Sequence, residues 1–360
     1  FIEQCGFYNN PHKSNKGVER MKAVKVIEPL KVEIVDIPKP VIEKDNDVIV
    51  RVTSGGICGS DMGIYKGSNS LATYPRIIGH EFGGIVAEVG SNVTNVKVGD
   101  KVAVDPVISC GHCYACSIGR HNVCSTLEVM GVHRDGGFTE FVKAPANNIH
   151  KFNIDFDESL LGLVEPYTIG VEINQRGQIH NGDKVLIMGS GPIGICAMQV
   201  AKRNGAQVMM TDLVKERLDK AKSMGADEIV LVSEENLEER IATFTDGEGI
   251  PVVIDTVCIP SSFEQSVKLA CPAGRIVVIG LNGNPSEIVM ADITKKELTI
   301  VGSRLNCNCF DEVIAGFEDG SLQPDQLKTK AFNYKDVMDA ITMIQEHPQE
   351  VLKVVLKFED

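Results

Sequence analysis

The chain has 360 residues, of which 43% are hydrophobic and 24% are charged, and it carries a formal net charge of -13. This length suffices for two domains with separate cores, and the composition is typical of a globular, soluble protein. The acidic balance argues against nucleic acid as a partner, because duplex binding depends on Lys and Arg neutralising phosphates. No apolar run in the sequence is long enough to span a membrane.

Residues 1–20 are polar and precede Met21, where a strand pattern begins. We interpret them as a leader or an artificial extension, and they contain no apolar signal-peptide core. The eleven cysteines are odd in number, and four of them fall within residues 110–124. Without an export signal, this distribution indicates metal binding in a reducing compartment rather than a disulfide framework. We therefore expect a cytoplasmic protein with no membrane partner.

Short β runs separated by glycine turns occupy the chain from Met21 to about Lys143. Gly90-Ser91 and Gly99-Asp100 have the usual turn chemistry. The predicted strands cover residues 22–27, 32–35, 48–52, 83–89, 101–104 and 138–142. Together they predict a β-rich, barrel-like first domain over residues 21–168.

Strands and helices alternate from about Asn181 onwards. The predicted strands cover residues 184–188, 207–211, 228–232, 251–257, 275–279 and 298–301, and the predicted helices residues 193–203, 215–224, 234–244 and 262–269. This alternation predicts an α/β domain with a parallel, doubly wound sheet over residues 169–303. Beyond it, helical stretches near 310–317 and 334–345 precede a terminal strand at 351–358. We expect residues 304–360 to return to the first domain.

A glycine-rich turn, Gly189-Ser190-Gly191-Pro192-Ile193-Gly194, follows the first strand of this sheet and opens a helix. In that context it predicts a dinucleotide site, in which backbone N–H groups and the positive helix end face a pyrophosphate. Asp212 ends the next strand, where an acid binds ribose hydroxyls and repels a ribose phosphate, so NAD is favoured over NADP. Lys215 and Arg217 lie nearby and either weaken that preference or simply form the exposed face of a helix. The alternatives are a tight turn without a ligand and, for Asp212, a solvated acid or helix cap. The predicted cofactor contacts are Gly189, Gly191, Pro192, Ile193, Gly194, Asp212, Arg217 and Ile279.

Four cysteines, Cys110, Cys113, Cys116 and Cys124, lie in one short lobe over residues 106–125, with gaps of two, two and seven residues. This spacing predicts a closed tetrahedral zinc site that fixes a loop. An iron–sulfur cluster would need a short third gap followed by proline, and a nucleic-acid zinc ribbon does not suit an acidic chain. Disulfides or buried thiols are the remaining alternative.

A second set of potential ligands includes Cys58, in a glycine-dense turn, and the adjacent pair His80 and Glu81, beside which Gly79 leaves room. Glu165 is a further acidic candidate. One thiolate, one imidazole and one or two carboxylates suit a zinc ion that keeps one position open for substrate. Taken singly, these residues could equally be a core thiol, a buried histidine and surface acids.

Together these motifs resemble those of the zinc-dependent medium-chain alcohol dehydrogenases, in particular the sorbitol, polyol and sugar-acid (hexonate) branch and its starvation-sensing homologues. The resemblance extends from Met21 to the C terminus. It rests on the motifs at residues 56–61, 79–84, 110–124, 165–166 and 189–194. It implies a GroES-like catalytic domain joined to a Rossmann domain, two zinc ions per chain, NAD as cofactor, and a homodimer or homotetramer.

The resemblance also assigns the catalytic zinc ligands. Cys58 and His80 match residues that bind this zinc in the family. Glu81 matches a carboxylate beside the metal, and Glu165 matches either a ligand or a group bonded to water at the metal. Which of the two carboxylates binds directly stays open.

Proton transfer is assigned in the same way. Ser60 matches the hydroxyl that takes the alcohol proton, and Asp61 matches an acid that orients the site. Many relatives have histidine where this chain has Gly63. We therefore expect the proton to leave through water held by Glu165 or directly to solvent.

The implied reaction is oxidation of a secondary alcohol on a sugar acid, such as galactonate or gulonate, or on a polyol, with hydride transfer to NAD. Arg304 is predicted to meet a substrate carboxylate or hydroxyl, since guanidinium matches carboxylate geometry, unless it binds its own backbone or the cofactor. His133 is a further substrate candidate. The alternatives are oxidation of threonine or a diol, and a non-catalytic NAD-binding regulator.

Overall fold

The computed structural model describes residues 19–359 of the chain. Residues 1–18 of the predicted leader lie outside this range, whereas Arg20 already belongs to the first strand and pairs with Pro38. Within the described range, no helix has both the length and the apolar character needed to cross a bilayer.

The N-terminal part is built mainly from short strands, as predicted. Its strands are β1 (Arg20–Glu28), β2 (Lys31–Pro38), β3 (Asp47–Ile57), β4 (Arg76–Ile77), β5 (Glu81–Val89), β6 (Lys101–Val104), β7 (Val107–Ile108), β8 (Glu128–Val129), β9 (Phe141–Pro145) and β10 (Ile149–Lys151). Its α-helices are α1 (Gly59–Lys66) and α2 (Tyr114–Ser117), and its 3₁₀ turns are His121–Val123, Ala146–Asn148 and Glu158–Leu163.

Strand β3 is the centre of the first large sheet. It pairs antiparallel with β5 and with β9, and β5 continues to β6 and β10. A smaller sheet has the order β2-β1-β4, and β7 pairs with β8. The sheet therefore brings the C-terminal end of β3 beside the start of β5, where Gly56 pairs with Glu81.

The strand predicted at residues 138–142 begins later, at Phe141. The backbone N–H groups of Gly136, Gly137 and Phe138 instead donate to the carbonyls of residues 77, 79 and 78. These N–H groups therefore bond the turn before β5 instead of strand β3. Residues 138–140 form a loop that packs on this turn, and the strand begins only after it.

The next part of the chain forms a six-stranded, fully parallel sheet with order β13-β12-β11-β14-β15-β16. Its strands are β11 (Lys184–Met188), β12 (Gln207–Asp212), β13 (Glu228–Leu231), β14 (Ile250–Asp255), β15 (Ala270–Val278) and β16 (Thr299–Gly302). Its helices are α3 (Val164–Arg176), α4 (Pro192–Arg203), α5 (Lys215–Ser223), α6 (Leu237–Phe244), α7 (Pro260–Leu269) and α8 (Met290–Lys296). This is the predicted doubly wound arrangement, and the α/β class is confirmed.

Two functional helices were not predicted from the sequence. Helix α1 contains Gly59 and Gly63, which are weak helix formers. Helix α3 contains Pro166 in its first turn, where proline removes no helical hydrogen bond. Because glycine and proline disfavour helix, the sequence did not predict either element. Both matter for the site, since α1 carries Ser60 and α3 carries Glu165.

The last part of the chain packs against both sheets. It contains α9 (Phe310–Glu318), α10 (Pro324–Leu327), β17 (Lys328–Asn333), the 3₁₀ turn Tyr334–Asp336, α11 (Val337–Glu346) and β18 (Lys353–Lys357). Strand β18 pairs antiparallel with β3, and β17 pairs parallel with β18. The chain therefore ends beside the strand that leads to Cys58. The predicted domain limits remain predictions, because pairing identifies neighbouring strands and not the ends of folding units.

Candidate active site

The turn after β3 positions the first candidate ligand. Cys58 is the N-cap of α1, and its N–H donates to Asp61 Oδ2 at 2.8 Å. The other carboxylate oxygen of Asp61 accepts the N–H of Gly79 at 3.1 Å. Asp61 is buried. Its two hydrogen bonds join the end of β3 to the turn before β5.

Position 79 requires glycine for two reasons, its backbone conformation and the closeness of an aromatic ring. Its φ is +94°, and a β-carbon there would lie 2.1 Å from Cδ1 of Phe138. The expectation that Gly79 makes room beside His80 and Glu81 therefore needs correction, since the close neighbour is Phe138. The tight turn directs the next two side chains towards Cys58.

His80 is buried between Ser60 and Asp61. Its Nε2 lies 3.4 Å from Ser60 Oγ, and its Nδ1 lies 3.5 Å from Asp61 Oδ1. Burial opposes protonation, but the Asp61 carboxylate and the Cys58 thiolate outweigh it and raise the pKa of His80 well above 6.5. The imidazole therefore lies among negatively charged groups, and such surroundings also favour binding of a metal cation.

Cys58, His80 and Glu81 place one ligand atom each within 4.8 Å of one another. Glu81 Oε2 is buried and has no hydrogen-bond partner among the described residues. A thiolate, an imidazole and a free carboxylate oxygen form a donor set that zinc accepts. The residues present therefore fit a zinc ion.

Lys353 is a site residue that sequence reasoning missed. Its Nζ lies 2.7 Å from Glu81 Oε1, and the two side chains are only 3% and 1% exposed. Burial opposes the charged amine, but Glu81 outweighs it, so the pKa of Lys353 is raised above its usual value. A lysine inside the apolar run Val351 to Val355 is the signal that could have revealed it, because a buried strand rarely carries an unpaired charge.

Glu165 lies in the first turn of α3 and is 5% exposed. Burial, reinforced by the nearby Glu81 carboxylate, raises its pKa to about 8 although His80 and Lys353 oppose the shift. It does not join the three candidate ligands within 4.8 Å. Glu165 thus lies near the three candidate zinc ligands without belonging to their group.

The glycine-rich turn connects β11 to α4 and borders a cavity of about 760 Å³. Asp212 accepts the N–H of Ser190 at 2.8 Å through Oδ2, while its Oδ1 accepts the N–H groups of Leu213 and Val214. Arg217 donates to the carbonyl of Pro348. The predicted cofactor residues that line this cavity are Gly189, Gly191, Pro192, Ile193, Gly194, Asp212 and Arg217.

A second cavity of about 540 Å³ lies beside the candidate zinc ligands. Ile193 lines both cavities, so the two are neighbours. Ile279, predicted as a cofactor contact, lines only the second. The predicted site residues that line the second cavity are Ser60, His80, His133, Ile193, Ile279 and Arg304.

The four-cysteine lobe has the dimensions of a tetrahedral metal site. Sulfur–sulfur distances are 3.6 Å for Cys113–Cys116, 3.9 Å for Cys113–Cys124 and 4.0 Å for Cys110–Cys116. Four sulfurs bonded to one zinc at about 2.3 Å lie about 3.8 Å apart, whereas a disulfide would need about 2 Å. A backbone hydrogen bond from Ser125, with a further one from Cys116, lowers the pKa of Cys113 to about 5. The lobe therefore fits a second zinc ion.

Comparison with known proteins agrees with this geometry. Residues 44–154 match the alcohol dehydrogenase GroES-like domain, and residues 192–319 match the zinc-binding dehydrogenase domain. The starvation-sensing protein RspB of Escherichia coli K12 is 43% identical over 94% of this chain and 100% of its own length. The chain belongs to the zinc-type medium-chain alcohol dehydrogenase family, an enzyme family of oxidoreductases acting on CH–OH groups, and the predicted GroES-like and Rossmann domains are confirmed.

Other members of the family differ in their substrates. An L-threonine 3-dehydrogenase of Bacillus licheniformis is 38% identical over 83% of this chain and 88% of its own length. L-galactonate-5-dehydrogenase of Escherichia coli K12 is 31% identical over 88% of this chain and 93% of its own length. The family therefore does not by itself identify the alcohol that is oxidised.

Solved structures of relatives include cofactor complexes. The rspB alcohol dehydrogenase of Escherichia coli CFT073, solved with NADH, is 42% identical, covers 95% of this chain and 100% of its own, and superposes with a TM-score of 0.89. A zinc-binding dehydrogenase of Sinorhizobium meliloti 1021, solved with NADP, is 30% identical, covers 94% and 99%, and has a TM-score of 0.88.

Proposed function

We propose that the protein is a zinc- and NAD-dependent dehydrogenase that oxidises a secondary hydroxyl of a sugar acid, with a hexonate as the model substrate. The observation that carries this proposal is the charge of the second cavity. Arg304 is the only Lys, Arg, Asp or Glu among the described residues that line it. Its guanidinium makes no ion pair or side-chain hydrogen bond with a described residue. In a chain of net charge -13, an unpaired arginine in a substrate cavity is best explained by an anionic substrate.

The same charge distribution separates the candidate substrates. A hexonate carboxylate can pair with Arg304, whereas a neutral polyol or diol gains little from a guanidinium. The ammonium group of threonine would need an acid, and no Asp or Glu of the described chain lines the cavity. These arguments favour a sugar acid over threonine on the same scaffold.

His133 offers a hydrogen-bond donor to the same substrate. Its Nδ1 accepts the backbone N–H of Val129 at 3.0 Å, so that nitrogen cannot carry a proton. The neutral ring must then be protonated at Nε2, which is a donor. A donor in the cavity suits a sugar hydroxyl oxygen.

Each part of the proposed mechanism has a residue that performs it. Zinc bound by Cys58, His80 and a carboxylate supplies positive charge that favours deprotonation of the substrate hydroxyl, and NAD supplies the hydride acceptor. Ser60, which lines the cavity next to His80, accepts the substrate hydroxyl proton on Oγ and releases its own hydroxyl proton to solvent water. Glu165 is placed to hold a proton close to the candidate zinc ligands. Since this chain has Gly63 where many relatives have histidine, Glu165 can serve as an alternative proton-carrying group.

The preference for NAD is proposed from Asp212. Its Oδ2 carries one backbone hydrogen bond and retains capacity to accept from a ribose hydroxyl. A 2′-phosphate at that place would meet a negative charge. Arg217 lines the same cavity but already donates to Pro348.

The test is NAD reduction with a panel of hexonates, polyols, diols and threonine, using protein of known zinc content. The proposal requires turnover of a hexonate and a KM that rises about tenfold or more in Arg304→Met, as expected for the loss of a charged hydrogen bond. Turnover confined to threonine, diols or polyols would refute the substrate class. Silence on the whole panel with two zinc ions bound would favour the regulatory alternative.

We also propose a homodimer or homotetramer. The supporting observation is β16 (Thr299–Gly302), which ends the parallel sheet with one unpaired edge. Light scattering would give a multiple of 39.1 kDa for an oligomer, and a mass equal to one chain would refute it.

A further inference from the structure

The four-cysteine lobe touches the chain segment that carries Arg304. Asn122 is 0% exposed, and its Nδ2 donates to the carbonyl oxygen of Arg304 at 2.7 Å. Because a carbonyl oxygen only accepts, the side-chain amide must present its nitrogen here. Asn122 lies in the 3₁₀ turn that leads directly to Cys124, so the lobe anchors this donor.

A second contact joins the same two segments. The thiol of Cys307 donates to the carbonyl of Gly119 at 2.8 Å and lies 3.6 Å from Nδ1 of His121. Both partners belong to the lobe, between its third and fourth cysteines. Residues 303–309, which we call the wall segment, are therefore held by the lobe at two points.

The wall segment is strained between these contacts. Leu305, which lies between Arg304 and Cys307, has φ of +51°, a region that residues with a β-carbon rarely adopt. Such conformations persist only where surrounding contacts impose them. Leu305 follows Arg304 and, like it, lines the second cavity. The peptide that Asn122 holds is the one between these two cavity-lining residues.

We propose that Asn122 is a positioning residue for substrate: by fixing the peptide between Arg304 and Leu305, it sets the wall of the substrate cavity. The four-cysteine lobe then determines substrate affinity as well as local stability. This inference rests on the proposed function for the role of Arg304 towards a carboxylate, but the wall also shapes the cavity for other alcohols.

The experiment compares Asn122→Ala with the unaltered enzyme and with Ser117→Ala. Ser117 is an exposed lobe residue whose hydroxyl donates, among the described residues, only to the carbonyl of Tyr114 in its own helix turn, which makes it the matched control. For Asn122→Ala we expect the hexonate KM to rise about tenfold, because losing a hydrogen bond of about 1.4 kcal/mol would lower the fraction of enzyme with the wall in place by that factor. We expect kcat and the KM for NAD to change less than about twofold and the zinc content to stay at two ions per chain. Calorimetric titration of the hexonate into the protein with NADH should give the same tenfold loss without turnover.

A double-substitution comparison tests whether Asn122 acts through Arg304. In an Arg304→Met background, Asn122→Ala should raise the hexonate KM by much less than tenfold, because the group that it positions is absent. An equal increase in both backgrounds, or a loss of kcat with unchanged KM, would overturn the proposal.

Cys307→Ala provides a second variant, in case Asn122→Ala does not fold, because it removes the other contact that holds the wall segment to the lobe. It should raise the hexonate KM in the same direction, and an unchanged KM in a folded, two-zinc protein would count against the inference. Failure of the proposed function has a different signature, since the unaltered enzyme would then oxidise no hexonate. In that event Asn122→Ala must still raise the KM for whichever alcohol is oxidised, and no increase would overturn this proposal independently.

Discussion

Glu81 has two oxygens in different surroundings. Oε1 is paired with Lys353, whereas Oε2 is buried without a hydrogen-bond partner among the described residues. A β-carbon at Gly56 would lie 2.2 Å from Oε2, so the carboxylate fills the space that this glycine leaves. The ion pair holds the side chain in place while one oxygen stays free to face a cation.

Lys353→Met should destabilise the protein strongly, because it leaves the Glu81 carboxylate buried and uncompensated. Breaking a buried pair from one side lowers the free energy of unfolding by about 3–5 kcal/mol. Urea unfolding of the variant would measure this loss. As a control, the double variant Glu81→Gln with Lys353→Met should recover part of it, since no buried charge is left over. A single variant as stable as the unaltered protein would show that the pair is dispensable.

Asp212→Ala should weaken NAD binding and narrow the preference for NAD over NADP. The change removes hydrogen bonds to the ribose and the charge that opposes a 2′-phosphate, and we expect the KM for NAD to rise about tenfold. The matched control is Asp219→Ala, which removes an exposed acid of α5 that pairs with Lys215. Steady-state kinetics with NAD and with NADP would measure both effects. An unchanged ratio of kcat/KM for NAD to kcat/KM for NADP would show that Asp212 does not set the cofactor preference.

At the scale of elements, the lobe between β7 and β8 is held by its thiols rather than by an apolar core. Helix α2 has no buried residue, and Tyr114 and Ile118 are exposed. A loop of this kind depends on the bound ion for its shape, because metal binding there is coupled to local folding.

Cys116→Ser should therefore lose one zinc ion and lower the melting temperature, while the ion at Cys58 and His80 is retained. Zinc content, measured by atomic absorption, should fall from two ions per chain to one. Cys271→Ser is the control, since Cys271 is half-buried and outside both candidate metal groups. Two retained ions in Cys116→Ser would contradict the four-thiolate site.

On the scale of the whole molecule, a buried carboxylate connects the first sheet to the wall segment. Asp105 Oδ1 accepts the N–H of Val107 at 2.9 Å and lies 3.4 Å from Nδ2 of Asn306. Burial raises the pKa of Asp105 above its usual 3.8, although the hydrogen bond from Val107 opposes the shift. The folded chain thus binds this proton more tightly than the unfolded chain does.

This linkage gives a pH dependence with a definite sign. As pH rises from about 3.8 through the raised pKa, the folded state holds more protons on Asp105 than the unfolded state, so stability falls across that window. Asp105→Asn keeps the Oδ1 acceptor for both partners and removes the ionisation. Urea unfolding from pH 4 to pH 8 should therefore show a smaller loss of stability in the variant, and parallel curves would contradict the assignment.

Much of the fold was determined locally by the sequence. The strand–helix alternation from Lys184, with Gly189 to Gly194 between β11 and α4, defined the parallel sheet, because buried parallel strands read as continuous apolar runs. The four cysteines could be recognised from spacing alone, since their ligands lie in one short segment. Cys58, His80 and Glu81 were recognisable because β3 and β5 each deliver their residues at a glycine turn.

Only the tertiary structure decided which distant segments meet. Lys353 reaches Glu81 because β18 pairs with β3, and Asn122 reaches Arg304 across 182 positions of sequence. The apolar run around Lys353 indicates a buried charge but not its partner, and Asn122 has no such signal. A hydrogen bond between remote segments depends on how the sheets pack and not on the spacing of residues. The sequence by itself thus determined the elements and the potential ligands of this protein. Chain packing decided the partner of Glu81 and the wall of the second cavity.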